Sequence, residues 1–250
     1  MHIATFGFDA GAGFSEALPV ELDADDTVVF VFGAADAAVP GSPLGAALAH
    51  LRRSFPRARF AGCSTAGEIR GAAIGDGSLS VAVARFERTG VRLASAAVAS
   101  SADSFAAAET VARALAADDL RAVVVFSDGL RVNGSELVRG LHAALDPEIV
   151  VTGGLAADGP RFKQTWVLDG GVPLEGRVTA VGLYGPHVRV GHGSRGGWDI
   201  FGPERRVTRA AGNVLYELDG KPALSLYKRY LGEQAAGLPS TALLFPLALR

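Results

Sequence analysis

The sequence predicts an α/β protein with an internally duplicated strand–helix–strand core, antiparallel extensions, and stacked sheets flanked by helices. Three observations predict it. Two continuous apolar, β-branched runs, residues 27–32 and 121–126, have the character of strands buried on both faces. Each is followed by a stretch of helical spacing and then a second strand that ends in glycine: residues 44–55 then 59–62, and 135–145 then 149–153. The same elements recur in the same order at a nearly constant offset, as a tandem copy would give.

Residues 1–8 read as a first strand, and residues 11–26 as a loop carrying Pro19 and the acidic cluster Asp23, Asp25 and Asp26. In the first helix Leu44, Leu48 and Leu51 fall on one side and Arg52 and Arg53 on the other, and Pro56 stops it. Strand, helix and strand at this spacing expect a parallel pair with a right-handed crossover. Residues 78–86 alternate at period two, and 91–96 follow after Thr89-Gly90, so the two are expected to form a hairpin. Residues 104–117 read as a helix with Phe105, Val111 and Leu115 inward and Asp103 as its cap. The pattern then restarts. Asn133 or Ser135 caps a helix that Pro147 ends, and residues 162–168, 178–184 and 188–191 read as further strands. In the match of the halves, residues 91–93 correspond to 188–190. Beyond Gly191, residues 206–210 and 214–218 alternate about a Gly212-Asn213 turn. Lys221-Pro222-Ala223 opens a helix that Gly232 ends.

With 250 residues and 49% hydrophobic content the chain can bury a large core. Net charge is -2 with 20% charged residues and no basic stripe, which argues against nucleic acid as a partner. No run approaches the roughly 20 apolar residues of a membrane helix. No secretion signal is read at the N-terminus, and the single cysteine fits a reducing compartment, so a cytoplasmic location is expected.

The chemistry is expected at the carboxyl ends of the parallel strands. One tip carries Gly62, Cys63, Ser64, Thr65, Gly67 and Glu68; its glycines permit sharp turns and close approach to main-chain N–H groups. A second tip of the same character runs from Thr152 through Gly153 and Gly154 to Asp158, and Ser127 and Asp128 end another strand. If the halves pack face to face, these ends line one cleft.

At these residues the chain resembles a known family. Ala61-Gly62-Cys63-Ser64-Thr65-Ala66-Gly67-Glu68-Ile69 resembles the signature of the FIST family of bacterial sensory modules, and Val151-Thr152-Gly153-Gly154-Leu155-Ala156 its second glycine motif. Gly197-Trp198, Val207-Thr208, the stretch from Gly212 to Ala223 and Tyr230-Leu231-Gly232 resemble the junction into the family's C-terminal part. The resemblance implies an N-terminal-type domain over residues 1–198, with repeats at about 27–98 and 121–193. It implies the beginning of a C-terminal-type domain, apparently incomplete, over 199–250. It also implies a cytoplasmic, ligand-sensing role in signal transduction beside a histidine kinase, a diguanylate cyclase or a chemotaxis receptor, with an amino acid or similar small polar metabolite as ligand. Some members bind haem and sense nitric oxide.

Each candidate residue carries two readings. Cys63 is an activated nucleophile, as in a cysteine-dependent enzyme, or a small pocket-lining side chain; activation needs a base or positive charge nearby, and Glu68 is a poor one. Ser64 and Thr65 bind ligand or hold a turn. Glu68 and Asp158 meet a ligand amine or are solvated loop carboxylates. A single histidine among His2, His50, His142, His187 and His192 can hold haem iron, but His50 and His142 sit near helix C-termini, which explains them electrostatically. His187 and His192, at odd separation, point to opposite faces of a strand. Gly75-Asp76-Gly77 and residues 193–197 match no full phosphate-binding fingerprint. Trp198 stacks on a ligand or closes the core between two parts. The expected site is therefore a small-ligand site, non-enzymatic, with no metal.

Overall fold

The computed structural model of the chain describes residues 1–191, 193 and 197–249. His192 and positions 194–196 of the glycine-bearing stretch 193–197 lie outside the described residues. The chain divides into two compact units, Met1–His192 and Gly193–Arg250.

In the first unit β1 (His2–Asp9) and the short β2 (Gly13–Phe14) are followed by β3 (Thr27–Gly33), α1 (Pro43–Ser54) and β4 (Arg59–Ser64). A two-stranded ribbon, β5 (Glu68–Arg70) and β6 (Ala73–Gly75), leads to β7 (Ser78–Arg85) and β8 (Gly90–Ala97). Then come α2 (Ser104–Leu115), β9 (Leu120–Ser127), α3 (Gly134–Ala144) and β10 (Val150–Leu155). The short strands β11 (Val167–Asp169) and β12 (Val172–Leu174) precede β13 (Arg177–Tyr184). Local chemistry sets the helix starts. Ser42 Oγ accepts from Gly45 N–H at 2.9 Å with Pro43 at the first helical position, and Asn133 Oδ1 accepts from Ser135 and Glu136 N–H.

Two sheets carry the same strand arrangement. The larger runs β12-β11-β4-β3-β7-β1-β2 and the smaller β10-β9-β13-β8. In each, a parallel pair (β3 with β4, β9 with β10) is flanked by an antiparallel strand (β7, β13) and then a second one (β1, β8). The register matches residue by residue at the tips: Val31 pairs with Gly62, and Val125 with Gly153.

The packing forms four layers. Leu44, Leu48 and Leu51 of α1 bury against Val29, Val31, Val81 and Val83 on one sheet. Ala108, Val111, Leu115, Leu137 and Leu141 of α2 and α3 bury against Val123, Val125, Val178 and Ala180 on the other. Between the sheets Val28, Ala61, Cys63, Val91, Phe126, Val167 and Val181 form a third core, with Phe126 at 5.7 Å from Phe32 and 6.4 Å from Phe30, centroid to centroid. Apolar faces that alternate along the strands thus find a layer on each side, as the fold class expects.

Four local expectations are corrected. β7 and β8 do not form a hairpin, because both edges of β7 are already taken by β3 and β1; β8 crosses to the other sheet and pairs with β13. The equivalent four-stranded cores are therefore β1, β3, β7 and β4 within residues 2–85 and β8, β9, β13 and β10 within residues 90–184, so β8 opens the second core and answers to β1, while β11 and β12 join the first sheet. Residues 188–191 form no strand, and their match to 91–93 lapses. Of residues 162–168 only the end is a strand, because the Asp158 carboxylate captures the N–H groups of Phe162, Lys163 and Gln164. Asp103 precedes α2 without capping it; its carboxylate accepts instead from Ser100 N–H and Oγ.

In the second unit β14 (Val207–Ala211) and β15 (Val214–Leu218) form the expected antiparallel pair, with β16 (Lys221–Pro222) beside β15. The helix α4 (Ala223–Leu231) ends at Gly232, whose φ of 57° suits glycine.

Candidate ligand site between the sheets

Gly62 and Gly153 are geometric equivalents. Their φ angles are 138° and 149°, a region that L side chains avoid. A Cβ on Gly62 would fall 1.9 Å from the Val31 carbonyl oxygen, and one on Gly153 would fall 1.9 Å from that of Val125. Each glycine lets its strand bend at the same point against its parallel partner.

The two bent tips meet. Ser64 carbonyl accepts from Ala157 N–H at 2.9 Å, so the end of β4 is bonded to the segment just after β10. Ser64 N–H donates to the Trp166 carbonyl at 2.9 Å, and Ser64 Oγ accepts from Trp166 N–H at 3.1 Å. Trp166 is fully buried, and its Nε1–H donates to the Ala34 carbonyl at 3.2 Å.

A cavity of about 690 Å³ opens between these tips. Its polar groups come from Cys63, Ser64, Thr65 and Thr152, its backbone from Gly153 and Gly154, and its apolar walls chiefly from Phe30, Phe32, Phe126, Val124 and Leu155. β10 is the edge of its sheet, and Gly153, Gly154 and Leu155 are exposed there, so the cavity is open along that strand. Thr65 Oγ1 donates to Glu68 Oε1 at 2.6 Å, which leaves its lone pairs free to accept. The Thr152 hydroxyl makes no hydrogen bond among the described residues.

Cys63 is 6% exposed, and burial pushes its thiol up to about 12. It is a neutral thiol at physiological pH, the opposite of an activated nucleophile. The carboxylates expected near a ligand are engaged by the protein. Glu68 accepts from Thr65 Oγ1, Ser78 N–H and Ser78 Oγ. Asp128 accepts from Leu130, Arg131 and Gly176 N–H, each at 2.8 Å. Burial alone would push the Asp158 carboxyl up; three backbone N–H donors and Arg161 together hold it below its ordinary value. None of the three lines the cavity, and all are buried.

Of the residues expected at the site, then, Cys63, Ser64, Thr65, Gly153 and Gly154 line one cavity, and Gly62 shapes it from within β4. Gly67 is half-buried off the lining. Ser127 is buried, and its Oγ has no partner among the described residues; its carbonyl accepts from Ala156 N–H at 2.8 Å. Trp198 belongs to the second unit, where it is 63% exposed and donates to the Leu244 carbonyl at 3.2 Å.

The sequence reading missed the aromatic wall and Trp166. Phe30 and Phe32 alternate with Val29 and Val31, a period-two signal that separates a bulky face from a branched one. Trp166 carries no motif.

Haem does not fit this lining. Among the described residues no histidine lines the cavity, and the one sulfur there belongs to the protonated Cys63 thiol.

The fold and its paired glycine tips define a two-sheet α/β module. The family model of the FIST N domain matches residues 27–221. The chain belongs to the FIST family, whose members are sensory domains in signalling. No curated protein matches the chain. No helix among the described residues is long and apolar enough to cross a membrane.

Proposed function

We propose that this chain is a non-catalytic sensory module that binds a small molecule in the cavity between the two glycine tips. One observation carries the reading. The equivalent strand ends of two sheets, each bent by a glycine that admits no Cβ, are bonded to each other and border one cavity. Carboxyl-end crevices of parallel strands are where such sheets hold ligands. The lining favours a ligand with a broad apolar body and one or two hydrogen-bonding groups. Apolar and aromatic amino acids meet that description, with their charged ends toward Thr65, Thr152 and the backbone of β10. Strongly charged side chains do not, since Glu68, Asp128 and Asp158 are occupied. Binding would fix the β10 tip against β4 and alter the surface offered to a signalling partner such as a histidine kinase, a diguanylate cyclase or a chemotaxis receptor.

Thermal shift against an amino-acid panel tests this. A ligand at a hundred times its dissociation constant adds about 2.7 kcal/mol of stability. Apolar members are expected to raise Tm and acidic or basic ones to have no effect. Ala82→Phe, which fills the cavity from β7, abolishes the shift. A shift that survives Ala82→Phe refutes the site; no shift with any apolar amino acid refutes the ligand class.

A further inference from the structure

A second cavity, of about 510 Å³, lies between the same two sheets at the opposite end of β4. Arg57, Arg59 and Arg92 border it, against a single carboxylate, Asp169. Arg57 is paired with Asp25 at 3.1 Å, Asp169 faces Arg177 at 3.7 Å, and the Arg92 guanidinium lies 4.6 Å from the Tyr184 ring centre. Arg59 donates Nε–H to the Val91 carbonyl at 3.2 Å and makes no ion pair among the described residues.

The floor holds a second signal. Thr179 is 1% exposed, lines the cavity, and its Oγ1 has no hydrogen-bond partner among the described residues. It faces the other sheet, since Val181, two residues on, packs in the inter-sheet core while Val178 and Ala180 pack on the helices. Directly across the β8–β13 pair stands Ser95, also on the lining, whose hydroxyl makes no hydrogen bond among the described residues. A buried hydroxyl without a partner is costly and calls for one. Thr179 is such a hydroxyl, and with the half-buried Ser95 hydroxyl beside it and the Arg59 guanidinium, which makes no ion pair among the described residues, it offers donors and positive charge to one acceptor.

We infer that this cavity is a site for a small oxyanion, the carboxylate or phosphate head of a metabolite. Arg59 binds its charge and Thr179 and Ser95 donate to its oxygens. The site is separate from the glycine-tip cavity and does not depend on what binds there.

Thermal shift with inorganic phosphate and with malonate, each against sodium chloride at matched ionic strength, tests it. Matching removes the general screening of three neighbouring arginines. At least one anion is expected to give a saturable rise, about 5–10 °C at a hundred times its dissociation constant; which one responds tells a phosphate head from a carboxylate head. Thr179→Val keeps the side chain's shape and removes the orphan hydroxyl. Its Tm in chloride is expected to equal or exceed that of the unaltered protein, while the anion-specific rise disappears. Arg59→Gln is expected to lose the rise too, and Ala82→Phe to keep it. Shifts no larger than chloride's, or shifts that persist in Thr179→Val, overturn the inference. So does a Thr179→Val protein that melts lower in chloride, because the hydroxyl then has a partner within the fold.

Discussion

Replacing the tip glycines by alanine probes the geometry on which the candidate site rests. The φ angles of 138° and 149° cost an L residue about 1–3 kcal/mol. The new methyl also lands 1.9 Å from a carbonyl oxygen of the neighbouring strand, so two hydrogen-bonded strands must part locally, at about 1–3 kcal/mol for overpacking. Gly62→Ala is therefore expected to lose about 2–6 kcal/mol, a large share of the roughly 5–15 kcal/mol that holds a domain together. In Tm this is about 5–20 °C. Gly62 is fixed between β3 and β11, whereas Gly153 lies on an edge strand that can yield, so Gly153→Ala is expected in the lower half of that range. Gly154 is the control: its Cβ meets nothing within 4 Å, and Gly154→Ala is expected within about 0.5 kcal/mol of the unaltered protein. Equilibrium urea unfolding reads these values in a Trp198→Phe background, where buried Trp166 is the remaining tryptophan of the two. Gly153→Ala as stable as Gly154→Ala would refute the reasoning.

Other consequences can be measured on the same protein. Above pH 9.0 the unfolded chain ionises Cys63 while the folded chain holds the proton up to about 12. Stability should therefore fall by about 1 kcal/mol between pH 9 and 10, steepening toward about 1.4 kcal/mol per unit beyond, and urea midpoints of Cys63→Ala between pH 9 and 10 should lack that fall. Asp158→Ala strands the N–H groups of residues 162–164 and is expected to lower stability by about 2–3 kcal/mol in urea unfolding at pH 7. Because the folded carboxyl sits below its ordinary 3.8, its contribution is full above that pH and fades as pH falls further, so the gap between Asp158→Ala and the unaltered protein should narrow in acid. Hydrogen exchange should find residues 153–155, paired on one side, less protected than residues 63–64, which β3 and the Trp166–Val167 segment flank on both.

The strands and helices of both halves were legible because each was punctuated by its own chemistry. Apolar runs stopped at glycine, and leucines at helical spacing stopped at proline. The tips were legible as a pair for the same reason: each is an apolar run broken by a glycine and followed by small and polar residues, and in the fold both glycines take a conformation that other residues rarely adopt. What sequence could not give was which sheet a strand joins. The alternation of residues 78–86 and 91–96 is identical for a hairpin and for two strands in facing sheets; occupancy of the edges of β7 decides between them, and that is tertiary. Glu68, Asp128 and Asp158 looked like ligand groups because a carboxylate near glycines is ambiguous on the page. In the fold, three donors close on each. Trp198 drew notice by its glycine neighbours, while Trp166, the tryptophan that locks Ser64, lay inside residues 162–168, read as a strand with no motif of its own.

The two halves agree in their tips and differ in what covers them. The outer edge of β4 is closed by β11, which arrives from the second half and pairs Val167 with Cys63. Among the described residues the corresponding edge of β10 has no strand beside it, and the first half's own short ribbon, β5 with β6, pairs only with itself and leaves Ile69 and Ile74 67% and 76% exposed. The β4 wall of the cavity is therefore held by the β3 ladder on one side and by the Cys63–Val167 pairing and Trp166 on the other, and the β10 wall by one ladder and the Ala157–Ser64 bond. Symmetry places the two glycines together; the break in symmetry leaves the β10 wall with a partner strand on one side and the β4 wall with partners on both. For the sensing role proposed above that difference matters, because a ligand bound between two equally held walls would change little that a partner could read.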